Sequence, residues 1–155
     1  MFLLTLRFAN LLLASLVTGA MFGVWLVFNP KGLDAPTYVS LQQQAIRGMN
    51  TAMPVLGLAT ILATLAVAFL AQPSRPQLIL LILAAAAFLA AGVITRFLNQ
   101  PINAVMIRWT PASPPPEWSA LRDVWWRWHV ARLSFGAGGL SLLILAELSR
   151  AAKAG

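Results

Sequence analysis

The stretch MPVLGLATILATLAVAFLA (Met53–Ala71), QPSRP (Gln72–Pro76), QLILLILAAAAFLAAGVITRF (Gln77–Phe97) sets two long apolar runs on either side of a short turn. At about 1.5 Å per residue, each run as a helix reaches across a hydrocarbon core of roughly 30 Å. The connection is too short for anything but an antiparallel hairpin. Upstream, no charge interrupts the chain between Arg7 and Lys31, which makes another span. Downstream, only Leu133 to Ala146 is free of charge, too short to cross unaided. A fourth helix near 122–148 therefore draws its charged start to the membrane boundary.

Composition agrees. The chain has 155 residues, 59% hydrophobic and 10% charged, with a mean hydropathy of +0.78. Too few polar groups exist to cover a soluble domain of this size, so apolar surface must face lipid. The expected architecture is all-α: one integral membrane domain over 1–155, a four-helix transmembrane bundle with spans near 6–28, 53–71, 77–98 and 122–148. A short interfacial helix is expected between the first two spans, over Thr37 to Met49, with Tyr38, Leu41, Ala45 and Met49 as its apolar stripe. The first segment is read as a retained span, because its apolar run is too long for a signal peptide.

Several function classes are excluded. There is no cysteine, hence no disulfide, thiolate metal site or CxxCH haem attachment. The net charge of +7 is spread singly between apolar runs, which suits anionic headgroups and gives no nucleic-acid footprint. Four acids (Asp34, Glu117, Asp123, Glu147) and one histidine offer no metal-ligand spacing, although a single axial histidine to haem stays open. No cofactor is expected. A plain count of Lys and Arg puts the excursion-bearing end in the cytoplasm. Discounting arginines retained for a site, Arg7, Arg75, Arg150 and Lys153 instead put both termini there, and we adopt this second reading.

On the fourth helix, Arg122, Trp125, His129, Arg132 and Gly136 follow at spacings of three, four, three and four, the repeat of one helical face. Charged groups inside a membrane are costly and should face the bundle interior or a wet cavity. Gly136 allows a neighbour to approach closely, and Asp123 is spaced for an i,i+4 pair with Arg127. At the end of span three, Arg96, Asn99 and Asn103 share a face, and Pro101 is expected to bend or break the helix among them. In span one, Ser15, Gly19 and Gly23 form a small-residue ridge expected to pack against another helix. Trp109, Trp118, Trp125, Trp126 and Trp128 cluster near the expected interface, where a headgroup belt competes with a binding role.

The run Asn99-Gln100-Pro101-Ile102-Asn103, with Trp109, Trp118, Leu121-Arg122, Trp126 and His129-Val130-Ala131-Arg132, resembles the signature of the anthrone-oxygenase family of small four-helix membrane proteins. Many bacterial members of that family carry only a domain-of-unknown-function label. The resemblance extends more loosely through Gly19, Tyr38 to Gln44 and Met53-Pro54. It implies oxidation of a polycyclic anthrone, or another phenolic hydrophobic substrate, by dioxygen without a recognised metal or flavin, in a bacterial inner (plasma) membrane. On that reading His129 is the base, kept neutral by its surroundings. Arg122 and Arg132, with Asn99 and Asn103, bind the developing phenolate oxygen. Trp125, with Trp109 or Trp126, stacks on the flat substrate. Membrane lipid surrounds the protein, and self-association as a homo-oligomer is compatible with it. The competing reading is a non-catalytic membrane module that binds a lipid, quinone or haem, or serves in a larger assembly.

Overall fold

A computed structural model describes residues 1–151, so Lys153, one of the cations used for orientation, lies outside the described residues. The described chain is all-α: α1 Phe2–Val27, α2 Ala35–Met49, α3 Ala52–Leu70, α4 Arg75–Ile94, a π-helical turn Thr95–Asn99, α5 Gln100–Met106 and α6 Trp118–Ala151. Four stretches are long and apolar enough to cross a membrane: Phe2–Gly32, Ala52–Leu70, Arg75–Met106 and Trp118–Ala151.

Local chemistry sets the boundaries. After α1, Asn29 Oδ1 accepts from the Lys31 amide at 3.2 Å and Pro30 opens a 3-10 turn. Asp34 caps α2, accepting from the Thr37 amide at 2.9 Å and from its hydroxyl at 3.0 Å. The bond from the Thr37 amide holds the Asp34 carboxyl below its ordinary range. Gln72 turns the α3–α4 hairpin with a φ of +46°, and Ser74 with Gln77 forms a capping box at the start of α4.

The four long helices close a ring in the order α1, α3, α4, α6, and α4 with α6 form its most extensive contact. Leu12, Leu16, Leu58, Leu62, Leu89 and Phe135 are exposed on its outside, where lipid replaces water as the solvent of apolar groups. Inside, Ala14, Val67, Leu81, Ala84, Phe88, Leu143 and Ala146 form the core toward the termini and the short turn. Arg7 of α1 is paired with Glu147 of α6 at that end, and Arg150 joins the pair at 3.1 Å. In the same half, the Asn10 carboxamide and the Thr64 hydroxyl meet at 2.8 Å between α1 and α3. At the opposite end α2 closes over the bundle. Its Tyr38, Val39 and Ile46 join Met106 and Trp125 in a second cluster.

Four expectations are corrected. Pro101 does not break the third span, which continues to Met106. The π turn inserts one residue ahead of it, so Pro101 falls in the first turn of α5, where a missing amide needs no partner. The second excursion is therefore only residues 107–117. The buried face of α2 is Tyr38, Val39, Gln42, Gln43 and Ile46, whereas Leu41 and Met49 are exposed; α2 lies against the polar caps of other helices, and amides suit that face better than an apolar stripe. No helix packs on the Ser15–Gly19–Gly23 ridge, since a Cβ at Gly19 or Gly23 would meet nothing within 4 Å. Finally, Asp123 pairs with its neighbour Arg122 at 3.0 Å and not with Arg127.

The close approaches are made by α6 instead. A Cβ at Gly136 would run into Met21 Cε of α1, and one at Gly139 would lie 2.9 Å from the Phe88 ring of α4. Met21 ends in a flexible thioether, but Phe88 is a planar ring held in the core. Gly139→Leu should therefore cost about 1–3 kcal/mol by overpacking, while Gly138→Leu, whose Cβ meets open space, leaves stability unchanged. Thermal unfolding of both variants in detergent checks this; equal melting temperatures would refute the packing.

Candidate functional site

Helical spacing brings Trp125, His129 and Gly136 of α6 to the buried face. The His129 ring is 0% exposed and stacks on two indoles. Trp125 lies at 5.2 Å between centroids with planes 5° apart, and Trp126 at 5.4 Å and 21°. Arg132, one turn further on, donates to His129 Nδ1 from its terminal nitrogen at 2.9 Å and from Nε at 3.3 Å. That leaves the imidazole proton on Nε2, which donates to the Met21 carbonyl at 3.2 Å. Both nitrogens of a neutral imidazole are thus engaged.

Arg132 is the anomaly of the site. Beyond His129 it reaches only the Thr95 hydroxyl, at 3.4 Å, and lies 6.0 Å from the Trp125 ring centroid. The ion pairs among the described residues join Arg7 and Arg150 to Glu147, and Arg122 to Asp123. Arg132 has no carboxylate. A guanidinium in an apolar bundle with neutral partners alone is expensive.

The end of span three supplies amides that tie the site together. Asn99, 1% exposed, donates to the Trp125 carbonyl at 3.1 Å, and its Oδ1 has no partner. The Trp125 indole donates to Asn103 Oδ1 at 2.9 Å, Asn103 donates to Asn50 Oδ1 at 2.9 Å, and Gln100 donates to the Asn50 carbonyl at 3.1 Å. The π turn sets these three amides on the side that faces α6 and the end of α2. Gln43 fastens the other side of α2, donating to the carbonyls of Met106 at 3.1 Å and Trp109 at 2.8 Å.

Between α1, α2 and α6 lies a cavity of about 620 Å³, within the range of small-molecule sites. Its wall is mostly apolar, and Trp125, Asn103, Asn50, Thr95, Arg132, Gln42 and Gln44 supply its polar points. Of the expected site residues, Asn103, Trp125 and Arg132 border it. Asn99, His129 and Trp126 stand behind them as support. Arg122 is turned away, over the Trp118 ring at 4.8 Å and onto Asp123. Trp109 packs in the cluster around Tyr38 and Met106. Tyr38 is buried as well, 3.4 Å from the Met106 sulfur, and burial pushes its phenol above the ordinary tyrosine range, so it stays protonated.

Gln42 was missed by the pattern reading. It is 1% exposed, borders the cavity, and its Oε1 is buried without a partner. The available signal was the run Gln42-Gln43-Gln44 inside an amphipathic helix; two of those glutamines occupy the buried face. Asn50, at the junction of α2 and α3, carries no signal of its own.

No curated protein and no solved structure matches the chain significantly. A family profile described as anthrone oxygenase matches residues 43–142. That range takes in Asn50, the π turn with its amides, and α6 through its buried stripe. The chain belongs to the anthrone oxygenase family.

Proposed function

We propose that the protein is a membrane-embedded, cofactor-independent oxygenase that takes a flat phenolic substrate of the anthrone type from the lipid and oxidises it with dioxygen. The observation that carries this reading is Arg132, a cation without a carboxylate partner on the wall of a cavity otherwise lined mainly by apolar groups. Loss of a proton from the C–H opposite an anthrone carbonyl moves negative charge onto the carbonyl oxygen. A fixed guanidinium beside that oxygen in low dielectric favours the anion strongly. Trp125, oriented by Asn103, offers an indole face to the fused rings.

No carboxylate and no imidazole borders the cavity among the described residues; His129, buried directly behind Arg132, is the proton acceptor in this reading. Arg132 covers its Nδ1 lone pair in the unliganded arrangement. A substrate oxygen that draws the guanidinium toward itself uncovers Nδ1, which couples binding to base activation. The anion gives an electron to dioxygen, and the radical pair combines to a carbon-bound peroxide. The proton returns to the outer oxygen. Loss of the remaining C–H proton then breaks the O–O bond and releases water, so anthrone and dioxygen become anthraquinone and water.

The competing quinone-binding module would use the same cavity, because product and quinone ligand have one shape. The haem version fits less well, since neither His129 nitrogen is free for an axial position. A bacterial inner membrane with cytoplasmic termini is our reading of location, supported by Arg7, Arg75 and Arg150 near the ends away from α2.

Purified protein in detergent, given a hydroxyanthrone and dioxygen, should form quinone faster than empty micelles; equal rates refute the oxygenase. Arg132→Leu should lower kcat/KM by about 10²–10³, the effect of losing one donor to a developing oxyanion, and Arg132→Lys should recover part of it. Gln42 tests recognition separately. Its unpartnered amide fits a ring hydroxyl, so Gln42→Leu should raise KM for a hydroxyanthrone about tenfold, as for loss of one buried hydrogen bond, and leave KM for unsubstituted anthrone unchanged.

A further inference from the structure

A second cavity, of about 230 Å³, lies between α1, α3 and α4. Val17, Gly57, Ile61, Phe88 and Gly92 make its wall mostly apolar, and Thr95, Arg96, Gln100 and Arg132 are its polar points. Leu58 and Leu89 at its rim are 57% and 56% exposed on the outside of the bundle, so it opens toward lipid and not toward α2. At its inner end it shares Met21, Met53, Pro54, Thr95 and Arg132 with the larger cavity. The two spaces therefore both border Arg132, one beneath α2 and one from the lipid side.

From this we infer that the smaller cavity is a dioxygen site and conduit, which delivers the gas from the hydrocarbon core to the Arg132 end of the larger cavity. The inference rests on the oxygenase reading. Dioxygen is apolar and prefers hydrocarbon to water, so the membrane interior is its richest source. A tricyclic substrate seated in the larger cavity obstructs access through that space, yet dioxygen is consumed only after the substrate has lost its proton. A side entrance that remains free when the first is occupied solves this. Most of its wall is apolar, which suits a diatomic gas better than a chain of water.

Two glycines make the test clean. A Cβ at Gly57 or Gly92 meets nothing within 4 Å, and both glycines line the space, so each is a position from which a leucine can be built toward it. Crystals of the protein under xenon, an apolar probe of similar habit, should show a xenon peak among Gly57, Ile61, Phe88 and Gly92. Gly57→Leu, Gly92→Leu and the double variant are screened for loss of that peak, and turnover is then measured on the variant that loses it. KM for dioxygen should rise about fivefold, with KM for the anthrone and the melting temperature at wild-type values; Gly138→Leu, on the lipid face of α6, serves as the control. A wild-type crystal with no xenon peak, or with an acyl chain seated in the cavity, overturns the inference. So does an unchanged KM for dioxygen in the filled variant. No quinone formation by the wild type removes the oxygenase reading itself, a result that cannot be mistaken for the other two.

Discussion

The bond from the Arg132 guanidinium to His129 Nδ1 is the constraint around which the polar end is arranged. A cation in an apolar bundle must either find an anion, reach the interface, or be surrounded by neutral acceptors. The third solution is the one adopted. It fixes much else: His129 must be neutral, its proton must sit on Nε2, and a carbonyl must receive that proton, which Met21 supplies from α1. The imidazole must also be shielded from sideways displacement, and Trp125 and Trp126 do so by stacking. Thr95 can accept from Arg132 because its own hydroxyl proton is given to the Ala91 carbonyl at 2.8 Å. One charged side chain thus orders three helices.

Much of this was legible in residue order, and the reason is periodicity. The apolar runs marked the four spans, and the three-four spacing of Arg122, Trp125, His129, Arg132 and Gly136 marked the inward face of α6. Gly136 does meet α1 at close range. Spacing gives a face but not a rotamer, however. Arg122 lies at the edge of that face, where Asp123 and the Trp118 ring are nearer than the cavity. The same limit explains Trp109, whose indole goes into the cluster beneath α2.

The errors were of a different kind. Proline within a span reads as a break because it removes an amide and crowds the preceding turn. A single-residue π insertion answers both objections, and nothing in the residue pattern signals it. The small-residue ridge of α1 met the rule for close helix packing but meets no partner at Gly19 or Gly23 among the described residues, since helix order in the ring depends on all four helices at once. For α2, apolar periodicity chose Tyr38, Leu41, Ala45 and Met49, and only Tyr38 of these is on the buried side; the rest of that side is chosen by carbonyls at and just after the end of α5, which amides satisfy and leucines cannot. Gln42 was overlooked for the same reason.

These errors converge on one physical point. The turn before Pro101 leaves Asn99, Gln100 and Asn103 at the junction of α6 and the end of α2. A straight helix interrupted at Pro101 would scatter those amides; a broken one would leave their backbone partners unsatisfied in lipid. Through Asn103 the same device sets the plane of Trp125, which both stacks on His129 and walls the cavity. The orientation of the aromatic wall is therefore a consequence of one irregular turn. A low-dielectric cavity needs that rigidity, because a cation can favour a developing oxyanion only if neither wall nor water moves to screen it. Burying Arg132 without a carboxylate is costly for the fold, and in the proposed reaction it is the condition under which its charge remains available to a substrate.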